Sequence, residues 1–488
     1  MRSEEPASVA SLHPAAVHSV FAAQRAASRQ HAWMPCSERR GHLLRLERLL
    51  RQHQELLCRT ISEDFGHRPR TETLLLELFP SLQALRHARK NLERWVRPER
   101  RRVGIWFKPG RAEVRYQPLG VVGIIVPWNY PLYLAIAPLA GALAAGNRVM
   151  LKLSELTPRF SDLLANLIAK EFSVDHLHIC TGGPDVGREF SRLAFDHLLF
   201  TGSTAVGREV MQAAARRLTP LTLELGGKSP VIVTPGFNLV VAARRIVFGK
   251  FVNAGQTCIA PDYVLAPKEA LEALLTEVRH AARSLYGDVG TSDYASIVNE
   301  RHYSRLQSLL DDATAQGARI EPLLASAAPP SARRFPPVAV IGATPSMRVL
   351  QEEIFGPILP IIGYRTLDEA IEYINERPRP LALYIFDSDR SRADELIART
   401  ASGGVTINDT LLHVGQDDLP FGGLGESGFG RYHGVEGFRT FSQVRSIFRQ
   451  GMFAPTALMY PPYGGRLARR LLAFMCRRPP DLPMESLQ

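Results

Sequence analysis

The amino-acid sequence predicts an α/β protein: a doubly wound parallel sheet, a second α/β domain and a small β arm. Three observations carry that reading. Between residues 119 and 226, five short apolar runs alternate with helical periods, the pattern of parallel strands joined by crossover helices. After residue 227 the alternation resumes less regularly. Around Lys108-Pro109-Gly110, two short alternating runs flank a turn, which is a hairpin signal.

In chain order, helices are expected over 18–33, 37–65 and 71–95. Leu43, Leu46, Leu50 and Leu57 give the second helix an apolar stripe. The hairpin spans 103–117. Strands are expected over 121–126, 149–151, 177–180, 198–200 and 221–225. Helices over 132–145, 158–172 and 205–217, and a short one after Gly182-Gly183-Pro184, separate them. In the second half, strands at 263–265, 338–341, 359–364, 382–386 and 404–408 alternate with helices at 268–285, 301–316, 367–376 and 389–400. The glycine-dense stretch 420–431 reads equally as a loop lining a site or as a connection. Residues 116–147 hold no charged side chain, yet Pro118, Pro127, Pro131 and Pro138 interrupt them. A strand, a turn and a buried helix explain that stretch better than a membrane span.

The chain has 488 residues, enough for two or three domains; 45% hydrophobic and 22% charged content places it among soluble globular proteins. Its five cysteines form no CxxC pair. No disulfide framework and no metal site is expected, and a reducing, cytoplasmic setting fits. The first six residues open no secretory signal. The net charge of +11 comes mostly from arginines scattered over helix faces, so no nucleic-acid partner is expected.

Three side chains at strand or helix ends form a kit for acyl chemistry. Cys258 follows an amphipathic helix with Asn238 as a candidate N-cap, just past a break at Gly255. Asn129 follows the first strand, in Pro127-Trp128-Asn129-Tyr130-Pro131. Glu224 lies at the end of strand 221–225. A thiol can attack a carbonyl, an amide N–H can stabilise the oxyanion, and a carboxylate can activate water. Taken singly, each has a plain reading: a buried small hydrophobe, a turn residue and a surface charge. A cofactor site is suggested independently. Phe200-Thr201-Gly202-Ser203 opens a helix directly after a strand, where N–H groups can meet a pyrophosphate. Lys152 and Glu155, after the second strand, are placed for ribose hydroxyls; a carboxylate there favours NAD and leaves NADP open.

Seven ordered motifs together resemble the aldehyde dehydrogenase superfamily: Pro127 to Pro131, Lys152-Leu153-Ser154-Glu155, Phe200 to Ser203, Leu223-Glu224-Leu225-Gly226-Gly227-Lys228, Gly255-Gln256-Thr257-Cys258, Glu352-Glu353-Ile354-Phe355-Gly356-Pro357 and Pro420-Phe421-Gly422-Gly423. The resemblance covers about residues 18 to 448. Within the superfamily, the stretch 255–265 is similar to the class 3 branch, and Gln416-Asp417-Asp418-Leu419-Pro420-Phe421-Gly422-Gly423 with Lys152-Leu153-Ser154-Glu155 resembles coniferyl aldehyde dehydrogenases.

The resemblance implies a Rossmann-like cofactor domain (1–100 and 118–226), a catalytic domain (227–425) and an oligomerisation arm (101–117 with 426–450) in a homodimer. It makes Cys258 the nucleophile, Asn129 with the Cys258 N–H the oxyanion hole, and Glu224 the general base. Lys152 and Glu155 would hold the adenosine ribose, Gly202 and Ser203 the pyrophosphate, Glu353 the nicotinamide ribose, and Phe355 would pack beside the nicotinamide. Trp128 and Gly207 complete the cofactor set. Two departures, Leu153 in the lysine motif and Gly236-Phe237-Asn238 before the helix, leave the chemistry untouched. The substrate is expected to be an aromatic aldehyde of the coniferyl type, with medium or long aliphatic aldehydes as the alternative. A CoA-acylating enzyme and a non-catalytic protein on the same fold are rivals, and the presence of Glu224, Cys258 and Asn129 speaks against both. The tail, 451–488, carries a basic amphipathic run over 466–478 that would suit peripheral membrane contact.

Overall fold

The computed structural model describes residues 14–325, 332–452, 454, 456–457, 460–461 and 465–476. Two compact units emerge: residues through Trp95 together with Pro118–Ser442, and Val96–Gln117 together with the segment from Gln443.

The first unit contains two sheets. The cofactor-type sheet is built from β1 (Val121–Ile125), β2 (Arg148–Lys152), β3 (Leu177–Cys180), β4 (His197–Gly202) and β5 (Leu221–Leu225). The catalytic-type sheet uses β6 (Pro230–Val233), β7 (Tyr263–Pro267), β8 (Arg319–Pro322), β9 (Val338–Ile341), β10 (Ile358–Tyr364), β11 (Ala382–Phe386) and β12 (Gly404–Ile407). A two-residue strand, β13 (Gly428–Phe429), closes the list.

The first sheet runs β13-β5-β4-β1-β2-β3. Its five longer strands are parallel, and the chain winds outward from β1 in both directions. That reversal leaves a crevice at the carboxyl ends of β1 and β4. The register sets Ile125 beside Lys152 and Phe200, and Glu224 beside Thr201. The charge-free stretch resolves into β1, a proline-rich turn and α1 (Tyr133–Ala145), every residue of which is buried. Apolar side chains all round, not amphipathicity, make α1 a core helix. The second sheet runs β8-β9-β10-β7-β6-β11-β12 and is parallel except for β8.

Several expectations shift. The single helix over 37–65 is two, Cys36–Gln52 and Gln54–Phe65, broken at His53. Buried Leu50, Leu57 and Ile61 keep the helical spacing across the break, so periodicity gives no sign of it. Strands β6 and β8 went unread; β6 follows β5 too closely for a separate run to stand out. In the arm, Ile105–Phe107 is a helical turn, and the first hairpin strand is Glu99–Arg101, paired antiparallel with Arg111–Pro118. Alternating apolar side chains marked 103–107, yet Ile105 and Phe107 stay exposed, while the true strand is charged. The third arm strand is Ser442–Arg449.

Residues 426–442, assigned to the arm from sequence, belong to the first unit. Gly428 pairs with Glu224, and the helix Gly434–Thr440 packs against α1. At Gly428 a Cβ would lie 1.9 Å from the Leu223 carbonyl, so the glycine-dense stretch is packed against the sheet. Among the described residues no helix is long and apolar enough to cross a membrane. The tail helix Arg466–Met475 has only Ala468 buried; Arg477 and Arg478 lie outside the described residues.

Candidate active site

The carboxyl ends of β1, β2 and β4 open on a cavity of about 680 Å3 lined by Trp128, Lys152, Glu155, Gly202 and Ser203. The helix α2 (Thr204–Ala215) starts in its wall. Ser203 caps that helix, its Oγ accepting the Val206 N–H at 3.4 Å. The remaining N–H groups of the first turn have no partner within the helix and suit an anion. A Cβ on Gly202 would stand 2.5 Å from the Phe200 ring. Gly207 is absent from the cavity wall. Its missing side chain faces Leu225, 2.6 Å from where a Cβ would be, so it brings α2 close to β5.

Lys152 Nζ donates to the Leu153 carbonyl at 2.7 Å and lies 3.5 Å from Glu155. Burial lowers the Lys152 pKa, and the Glu155 charge opposes the shift. Asn299, Arg301 and His302 also line the cavity, with the His302 ring 5.0 Å from Trp128. Sequence reading missed all three, because they mark only the start of a helix.

Cys258 sits between α3 (Leu239–Phe251) and β7. Asn238 caps α3, as its position suggested, accepting the Val241 N–H at 3.2 Å. Past the helix the backbone turns left-handed at three consecutive residues: Asn253 (φ 52°), Ala254 (φ 51°) and Gly255 (φ 76°). Non-glycine residues held there store strain, which the surroundings must offset. Glu72 accepts the Asn253 N–H at 3.1 Å. Gln256 donates to the Asn253 and Ser296 carbonyls at 2.9 and 3.0 Å and accepts the Val298 N–H at 2.9 Å. Gly255 is obligatory, since a Cβ there would be 2.4 Å from the Gly356 carbonyl. Tyr130 and Thr257 share a hydroxyl hydrogen bond of 2.7 Å.

The loop bearing Asn129 is seated from behind. The buried Arg68–Glu77 pair, at 2.6 Å, donates from Arg68 to the Asn129 carbonyl at 3.1 Å. Glu77 in turn accepts the N–H groups of Leu132 and Tyr133. The Asn129 side-chain amide donates to the Gln256 carbonyl at 3.2 Å, two residues before Cys258. One of its two hydrogens remains for an oxyanion.

Burial pushes the Cys258 thiol up to about 12, and the charges of Glu353 and Glu224 push the same way; the N–H groups of Cys258 and Ile259 oppose them. Glu224 is buried, neither carboxyl oxygen has a hydrogen-bond partner, and burial raises its pKa well above the usual carboxylate range against the pull of Arg431. Glu353 is also raised, to about 8, chiefly by burial and then by Asp262. Its Oε1 lacks a partner, and Oε2 lies where a Cβ on Gly226 would be 1.9 Å away. Phe355, at φ 52°, meets the Trp128 ring edge-on at 5.4 Å. Lys250, buried on the core face of α3, is brought down to about 8 by burial. A lysine in line with that helix's apolar stripe was its only trace in the sequence.

A thiol, an amide donor and an unpartnered carboxylate thus converge where the carboxyl edge of one sheet meets the amino edge of the other. A cavity lined by a helix N-terminus and a lysine–glutamate pair adjoins them. The profile of the Aldehyde dehydrogenase family matches residues 1–447. The chain belongs to the aldehyde dehydrogenase family. It is 48% identical over 462 residues to a protein of Pseudomonas aeruginosa described as "Probable coniferyl aldehyde dehydrogenase", covering 94% of this chain and 96% of that one. It is 45% identical over 430 residues to the coniferyl aldehyde dehydrogenase of another Pseudomonas strain, covering 86% and 89%. Among solved structures, the substrate-bound AldH of Staphylococcus aureus superposes with a TM-score of 0.89 at 37% identity, covering 94% and 99%. A Mycobacterium tuberculosis aldehyde dehydrogenase complexed with NAD+ gives 0.83 at 30% identity, covering 90% and 91%. The family's fold is therefore the fold described above. The site fits a dinucleotide on its own account: the cavity offers the free N–H groups of the α2 N-terminus and the Lys152–Glu155 pair, and Glu353 Oε1 is a buried acceptor without a donor.

Proposed function

We propose that this aldehyde dehydrogenase oxidises an aromatic aldehyde of the coniferyl type to its carboxylic acid, with NAD+ as cofactor and NADP+ as an accepted alternative. The convergence of Cys258, Asn129 and Glu224 beside the dinucleotide cavity carries the reading. The balance is RCHO + NAD+ + H2O giving RCOO−, NADH and two protons. Lys152 and Glu155 would hold the adenosine ribose, the α2 N-terminus with Ser203 the pyrophosphate, Glu353 the nicotinamide ribose, and Phe355 and Trp128 would flank the ring. When bound, the nicotinamide supplies the hydride acceptor.

The chain's own residues do the rest. Cys258 Sγ attacks the carbonyl carbon, its proton passing to solvent water. Asn129 Nδ2 and the Cys258 N–H receive the negative oxygen. Loss of hydride from carbon leaves a thioester on Cys258. Glu224, in its ionised form, takes a proton from water, and the hydroxide so formed releases the acid and restores the thiol. The same burial that raises the Glu224 pKa makes its ionised form a stronger base.

The Pseudomonas relatives' names support the aromatic substrate. kcat/KM for coniferyl-type enals is expected to exceed that for medium or long aliphatic aldehydes by about tenfold or more, roughly 1.4 kcal/mol of transition-state discrimination. A preference for aliphatic aldehydes would replace the substrate assignment and leave the dehydrogenase standing.

The arm reads as a dimerisation element, supported by its sheet of Glu99–Arg101, Arg111–Pro118 and Ser442–Arg449. An unpaired edge strand is a template for a second chain. The tail helix exposes Leu467, Leu472 and Phe474 beside Arg469 and Arg470, which supports contact with an anionic membrane surface. Light scattering should find a dimer for a chain ending at 464 and a monomer for one ending at 442. Only the chain with its tail should sediment with anionic vesicles.

A further inference from the structure

The segment 349–355 carries Glu353 and Phe355 into the site, and it is fastened by side chains from outside it. Lys228, two residues past Gly226, donates through Nζ to the carbonyls of Val349 at 2.9 Å and Glu352 at 2.8 Å. The same ammonium makes a short contact with Asp262 Oδ2. All three of its hydrogens are thereby used. The other oxygen of Asp262 accepts the Ile354 N–H at 3.0 Å, and the Asp262 N–H is bonded to the Ser229 carbonyl at 2.8 Å. Arg305 adds a bond to the Ile354 carbonyl at 2.8 Å and another to that of Glu353. Both members of the ion pair are largely buried, with side chains 13% and 4% exposed.

The geometry is one of division. The backbone of 349–354 is tied to Lys228 and Asp262, and the Glu353 carboxylate is held on one side by the Gly227 N–H. Glu353 keeps an unpartnered Oε1, and Phe355 is left at a positive φ against Trp128. A buried pair is costly to maintain, so its retention calls for something a neutral pair would not do. Here the pair reads two carbonyls and an N–H of one strap at once, which fixes its register.

We propose that Lys228 and Asp262 are positioning residues that set Glu353 and Phe355 for the nicotinamide half of the cofactor, an inference that rests on the dehydrogenase reading above. The test separates cofactor binding from the nucleophile. Cys258 and Glu224 can hydrolyse an activated ester such as p-nitrophenyl acetate without any cofactor, and calorimetry reads NAD+ binding without turnover.

The double variant Lys228→Met/Asp262→Asn removes both charges of the pair together. Its NAD+ Kd is expected to rise about 10- to 100-fold, the loss of charge-assisted bonds, while cofactor-free ester hydrolysis stays near wild type. An unchanged Kd overturns the proposal. So does a parallel fall in ester hydrolysis, which marks general loosening of the fold. Should the double variant fail to fold, Lys228→Arg keeps the ion pair, but a planar guanidinium cannot reach both carbonyls and Asp262 in the ammonium's directions. A raised Kd then supports the assignment and a wild-type Kd overturns it. A wild-type protein that binds no NAD+ removes the dehydrogenase reading and this inference together; variants that bind like a functional wild type remove this inference alone.

Discussion

Glu224→Gln is expected to release about one NADH per active site in a fast phase and then stall. The amide keeps the volume and burial of the carboxyl but cannot take a proton from water. Attack by Cys258 and hydride loss need the thiol and the oxyanion donors, so the first half-reaction proceeds and the thioester accumulates. General-base catalysis contributes about 10²- to 10⁴-fold, and the steady-state rate should fall by that order. Neither Glu224 oxygen has a partner to lose, so the substitution strands no neighbouring donor. Stopped-flow absorbance of NADH on mixing aldehyde with the NAD+-loaded variant reads both phases. Full steady turnover by the variant would end the base role of Glu224.

Asn129→Ala should act on the other half. Its side-chain amide is the only side-chain donor assigned to the developing oxyanion, and removing one such donor costs about 10²- to 10³-fold in rate. The fast NADH phase, not only the steady state, should slow by that order, and kcat and kcat/KM should fall together. The variant is interpretable because the loop is anchored through the Asn129 carbonyl, which accepts from Arg68 and Asn253; the side chain adds only the bond to Gln256. NAD+ affinity should therefore be unchanged. A fast phase at the wild-type rate would move the oxyanion contact elsewhere.

Much of this architecture was legible from local signals. Five apolar runs with helices between them gave the parallel sheet, because each strand is buried on both faces and its pattern is continuous. Cys258, Asn129 and Glu224 were found at element ends, where a side chain can leave its own scaffold. The Asn238 cap was readable from residue type alone. What stayed hidden depends on contacts far apart in the chain. Glu72 pins Asn253 across 181 residues, and Lys228 reaches Glu352 across 124; no periodicity encodes either. The charged strand Glu99–Arg101 escaped because its pairing is a backbone matter and its side chains show no face. Gly207 shows the same limit: a glycine near a phosphate-binding turn and a glycine under a packed helix look the same until the neighbour, Leu225, is placed.

The surroundings of Cys258 also bear on how the chain withstands damage. Burial and the charges of Glu353 and Glu224 raise the Cys258 thiol, so the protonated form is favoured at neutral pH. The thiolate is the form that peroxide and alkylating electrophiles attack. Cys58 and Cys180 are buried and raised likewise, to about 11 and 12. Cys36 and Cys258 are both half-buried, and Cys476 is exposed. By exposure Cys258 ranks with Cys36, so what shields its sulfur before a substrate arrives is the protonated state that burial and the nearby carboxylates favour.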